Sequence, residues 1–113
     1  EYSQHSRGIY QNISINKKSI TIKNKREGDV IGTHCSEEQW QKIFDIIKNV
    51  DIENIQNLEA PSQKRRYDGV AIAKLKVTFE GKIYETPSFD HGNPHAEIAN
   101  LVKEILSIAQ NIE

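Results

Sequence analysis

The run VAIAKLKVTFEGKIYETPSF, residues 70–89, constrains the fold more than any other stretch of this chain. Ala71, Ala73, Leu75, Val77 and Phe79 recur at every second position, the period that sets side chains on one face of a β-strand. Glu80-Gly81 breaks the alternation where a two-residue hairpin turn belongs, and glycine supplies the positive φ such a turn requires. Val70 and Ile72 add apolar side chains to the opposite face, which predicts a strand central in its sheet. Pro87 has no N–H to donate, so regular pairing should end there. Counting back from the turn puts Ala71 opposite Asp90, Val70 opposite His91, and Asp68-Gly69 against Gly92-Asn93, with Pro87 or a bulge able to shift this by one.

The rest of the chain supplies elements of the same kinds. RGIYQNISI alternates with Ile9, Ile13 and Ile15 on one face, NKK turns, and SITIKNK continues with Ile20 and Ile22, a second hairpin. DVIGTHC predicts a further strand ending near Cys35. SEEQWQKIFDIIKNV is a helix: Ser36 and Gln39 have the spacing of a capping box, Glu37 and Glu38 suit the positive end of the dipole, and Trp40, Ile43, Phe44, Ile47 and Val50 form an apolar stripe. The connector after it carries Ile52, Ile55 and Leu58 every third residue, which fits a short helical turn or an extended segment pinned at intervals. A last helix is expected from Pro94 to about Asn111, with Ile98, Leu101, Val102, Ile105, Ile108, Ala109 and Ile112 facing the core. The order is β-β-β-α-loop-β-β-α over residues 1–113. It describes a single α+β domain, an antiparallel sheet of about five strands with two helices packed on one face.

Several functions are disfavoured by the bulk chemistry. A net charge of −1 gives no global pull toward nucleic acid or an anionic membrane. The basic residues Lys17, Lys18, Lys23, Lys25 and Arg26 have no aromatic side chains between them, so they predict a solvated, lysine-guarded sheet face or edge. No apolar run approaches the roughly 20 residues of a membrane span. The sequence contains no methionine, so residue 1 is expected to begin a trimmed or processed chain, and a lipid anchor upstream is compatible with that. Cys35 is the lone cysteine; without a His–Asn or His–Asp pattern it predicts a half-buried strand residue rather than a nucleophile.

SFDHGNPHAEI, residues 88–98, concentrates the reactive side chains. Proline is favoured at the first helical position, which makes Asn93 the expected N-cap, Pro94 the first helical residue and His95 the second. Asp90 is then available for an Asx-turn across Gly92, and His91 for solvent. His91 and His95 are four apart, yet His91 precedes the cap, so the two do not share a helix face. A zinc site wants three or four organised ligands, and no metal or other cofactor is expected. The register instead gathers Arg65, Arg66, Tyr67, Asp68, Asp90, His91 and His95 at the open end of one hairpin. Two readings follow: a polar pocket for an anion, a peptide end or a partner's carboxylate, or a salt-bridged clasp that ties the long loop to the sheet, the favoured one. No serine or cysteine nucleophile is tied to the cluster by a motif, so an enzyme is unsupported.

Taken together, RGIYQNISI, YDGVAIAKLKV and FDHGNP resemble small uncharacterised domains of secreted proteins and lipoproteins from Bacteroidota, over about Arg7 to Ile108. The resemblance implies an exported, lipid-tethered or periplasmic domain without assigned activity, and it transfers no catalytic residue. The element order alone is also similar to small protein inhibitors of thermolysin-like proteases. The expectation is therefore a non-enzymatic envelope domain that binds a protein or peptide, with its site around Arg66, Asp68, Asp90 and His91. The alternatives are an inhibitor or immunity-type protein using Glu59 to Arg66, a metal-binding or hydrolytic domain using Asp68, Asp90, His91 and His95, and a cytoplasmic location.

Overall fold

Alternation of apolar side chains makes the sheet, and the computed structural model, which describes residues 1–26, 28–67 and 69–112, shows how it is ordered. The strands are β1 (Tyr2–Ser6), β2 (Ile9–Ile15), β3 (Ser19–Lys23), β4 (Val30–His34), β5 (Ile72–Phe79), β6 (Lys82–Glu85) and β7 (Phe89–Asp90). They form one antiparallel sheet in the order β4-β3-β2-β1-β5-β6, with β7 also on β5. Helices α1 (Glu37–Ile47) and α2 (Ala99–Ile112) complete a single α+β domain. Ile13, Ile20, Ile22, Ala73, Leu75 and Val77 meet Ile43, Leu101, Val102 and Ile105 in one core, so both helices cover the same face of the sheet.

The expected hairpins form, and two further strands join them. β1 carries one buried apolar side chain, Tyr2, so YSQHS has no alternation to announce it. It is a strand because β2 and β5 flank it and pair with it on both sides. The β5–β6 register is the one the Glu80-Gly81 turn dictates, with Phe79 opposite Lys82, and both turn residues have positive φ. The register holds through Thr86 and slips by one beyond it. Thr86 Oγ1 accepts the Leu75 N–H at 3.1 Å and the Thr86 N–H donates to the Leu75 carbonyl at 2.9 Å. An extra residue at Pro87-Ser88 then makes β7 pair Phe89 with Ala73 and Asp90 with Ile72, rather than Asp90 with Ala71.

α1 starts as its capping box requires. Ser36 Oγ accepts the Gln39 N–H at 3.1 Å, and Gln39 Oε1 accepts the Ser36 N–H at 3.0 Å. Replacing Ser36 with alanine should cost about 1 kcal/mol of stability, read as a lower urea midpoint at unchanged slope. The period-three connector is a 3-10 helix over Ile52–Asn57, whose three residues per turn bring Ile52 and Ile55 to the core side.

The start of α2 differs from the expected one. Regular α-helix begins at Ala99, and Asn93 is not its cap. The Asn93 amide side chain donates instead to Ser62 Oγ at 2.9 Å. The segment from Asp90 to Asn93 is a β-turn closed by the Asn93 N–H on the Asp90 carbonyl, with Gly92 at φ +91°. His95 then starts a separate turn. Its carbonyl accepts the Ile98 N–H at 3.0 Å and its Nδ1 accepts the Glu97 N–H at 3.0 Å. His95 thus closes the turn that leads into α2, while the Val102 N–H of the helix itself donates to the Ile98 carbonyl.

Candidate functional site

Asp90 stands opposite Ile72, and strand alternation turns its side chain to the face away from Phe89 and the helices. The 59–67 segment folds over it there. Both carboxylate oxygens are fully used. Oδ2 accepts the Ser62 hydroxyl and the Lys64 N–H at 2.9 Å; Oδ1 accepts the Arg65 N–H at 2.9 Å and the Arg65 guanidinium at 3.0 Å. The two side chains are 5% and 3% exposed, a buried ion pair. Arg65 also donates to the Ser62 carbonyl at 2.8 Å and to Ser88 Oγ at 3.2 Å. Burial pushes the Asp90 pKa up, but the hydrogen bonds from Ser62, Arg65 and Lys64 outweigh it and hold the carboxyl well below the usual carboxylate range.

A carboxylate has about four lone-pair positions, and four donors fill them here. No acceptor capacity is left for a ligand. The arrangement is a clasp: one buried charge fixes two backbone N–H groups, a hydroxyl and a guanidinium of a loop about 25 residues upstream. Lys64–Arg66 is held as a single 3-10 turn, closed by Arg66 N–H on the Gln63 carbonyl and Tyr67 N–H on the Lys64 carbonyl, both at 3.1 Å.

The remaining residues of the expected cluster separate. His91 is half-buried rather than solvated; its Nδ1 lies 2.6 Å from the hydroxyl of the buried Tyr2. Burial lowers the His91 pKa and raises that of Tyr2, so a neutral imidazole and a neutral phenol share this hydrogen bond. His91 N–H also donates to the Ala71 carbonyl at 3.0 Å. Asp90 makes no Asx-turn, since its side chain faces the loop. His95 turns to Glu97, away from this network. Arg66 and Tyr67 project into solvent, Tyr67 at 73% exposure. Asp68 lies outside the described residues.

Among the described residues no group of three His, Cys, Asp or Glu side chains is placed to hold a metal ion. Cys35 is buried, and burial raises its thiol pKa, the opposite of what a nucleophile needs. No described helix is long and apolar enough to cross a membrane. Sequence reasoning missed Ser62, Ser88 and Tyr2 as partners of the cluster. Ser62 carries no motif, and Tyr2 reaches His91 only because β1 inserts beside β5.

No family model matches this chain, and neither curated proteins nor solved structures give a match.

Proposed function

We propose that this chain is a non-enzymatic binding domain of an exported or lipid-anchored bacterial envelope protein, and that Arg66 and Tyr67 are its contact residues for a protein or peptide. The observation that carries the reading is a loop pinned by four hydrogen bonds to Asp90, with a large exposed aromatic at its end. The Asp90 clasp orders residues 62–66 before any partner arrives, so the cost of fixing the loop is not charged to binding. Tyrosine and arginine are the side chains that dominate contact energies in interfaces. The envelope location rests on the resemblance of the RG, YDG and FDHGNP segments.

The inhibitor reading uses the same pinned loop, from Glu59 to Arg66, and differs only in the class of protein retained. One experiment addresses both. The protein is immobilised and offered the envelope fraction of its source organism, beside a variant carrying Arg66→Ala and Tyr67→Ala together. Both positions are exposed, so the variant should melt within about 2–3 °C of the parent. Retention of a specific protein by the parent, reduced at least ten-fold by the variant, supports the loop as the site. A retained protease identifies an inhibitor. Equal retention by both proteins removes Arg66 and Tyr67 from the interface.

A further inference from the structure

β1 is shorter than the strands on either side of it. It pairs with residues 9–13 of β2 and 72–75 of β5. Yet β2 runs on to Ile15 and β5 to Phe79. Strands that flank a common middle strand sit two strand spacings apart, roughly 9–10 Å, and beyond Glu1 no described strand lies between these two. The result is a slot in the sheet of about 480 Å³. Ile15 and Val77 line its sides, and Trp40, Ile47 and Ile105 of the two helices form its floor.

The backbone at its rim is set for a strand. Glu1 and Lys76 exchange both main-chain bonds, at 2.7 and 2.8 Å. Antiparallel pairing alternates direction with each residue. Two positions past Lys76, the N–H and C=O of Thr78 therefore turn toward the slot. On the other side, the Asn16 N–H donates to the Ser19 carbonyl, so Asn16 turns to β3 and Ile15 turns to the slot.

We propose that this slot seats an extended polypeptide segment that continues β1 upstream of Glu1, with an apolar residue directly before Glu1. Continuity with the existing β2–β1–β5 ladder fixes the register. The residue before Glu1 exchanges main-chain bonds with Ile15, and the one before that with Thr78. Tyr2 points into the core, so the residue two positions earlier does too. Its side chain drops between Ile15 and Val77 onto Trp40. The floor is apolar and the rim is two rows of main-chain donors and acceptors, the surface an added strand recognises.

Three proteins test this: the 113-residue chain, the chain with Thr-Val added before Glu1, and the chain with Thr-Asp added. The Thr-Val form should melt about 5 °C or more above the Thr-Asp form. Its Ile15 and Thr78 amides should exchange at least ten-fold more slowly than in the unextended chain. Equal melting of the two extended forms, or unchanged exchange at both amides, overturns the proposal. So does an unextended chain that sediments as a dimer with Ile15 and Thr78 already protected, since a second copy would then occupy the slot.

Discussion

Replacing Asp90 with alanine should lower the thermal midpoint by about 10 °C or more and open residues 62–67 to trypsin. The substitution leaves the Ser62 hydroxyl, the Lys64 and Arg65 N–H groups and the Arg65 guanidinium without their acceptor. Removing one partner of a buried ion pair is far more damaging than never having built the pair, because the surviving charge stays desolvated. In a domain of this size each unit of stability lost is several degrees of melting. The protease readout isolates the loop from the rest of the fold. Arg65 is buried by the clasp, and the 3-10 turn over Lys64–Arg66 keeps the chain out of the extended form that a protease cleft takes. Cleavage after Lys64, Arg65 or Arg66 should be at least ten-fold faster in the variant under native conditions. Asp90→Asn is the finer test. It preserves shape but turns an NH2 toward donors, so it should fall between the parent and the alanine variant. A stable, trypsin-resistant Asp90→Ala protein would refute the clasp.

That result bears on function through the loop's exposed end. Arg66 and Tyr67 touch solvent while the side chains of Arg65 and Asp90 are buried, so the carboxylate does not meet a partner itself. It determines whether Arg66 and Tyr67 are presented in one geometry or many. An Asp90 variant that still folds should therefore lose binding through loop disorder, whereas the Arg66/Tyr67 variant loses it with the loop intact. Proteolysis separates the two outcomes.

The sequence made the meeting of KRRY with FDHGNP legible, because a hairpin turn fixes everything paired on either side of it. Glu80-Gly81 set the β5–β6 register, and Pro87 correctly marked where it would slip. The capping box at Ser36 was equally readable, since both its halves are side chains. What the sequence did not disclose is where Asp90 points. Two of its four donors are main-chain N–H groups, which every residue but proline carries. The start of α2 was misplaced for a related reason. Asn93 has the right side chain for a cap, but a contact 31 residues away in sequence, with Ser62, recruits it elsewhere. β1 was invisible because Ser3 to Ser6 is polar throughout; only its neighbours make it a strand. The partner of His91 was hidden with it, since Tyr2 comes from that strand.

Acid should destabilise the protein in two separable steps. His91 is neutral in the folded chain, and burial holds its pKa below the ordinary 6.5. Between 6.5 and that lower value the unfolded chain binds more protons than the folded one. Stability is thus complete above pH 6.5 and falls as pH drops through the folded pKa. Asp90 acts at lower pH with the same sign. Its hydrogen-bonded carboxylate is depressed below the ordinary 3.8, so its contribution is intact above that pH and is lost as pH falls toward the folded value. The thermal midpoint, followed from pH 8 to pH 2, should be flat at first. It should then decline gently below about pH 6.5 and steeply below about pH 4. His91→Gln keeps a hydrogen-bonding partner for the Tyr2 hydroxyl and cannot titrate, so it should flatten the first decline and spare the second. Asp90→Asn should do the reverse, starting from a lower midpoint. A steep fall below pH 4 that persists unchanged in Asp90→Asn would mean that other carboxylates carry the acid sensitivity and that the Asp90 charge is not what holds the loop.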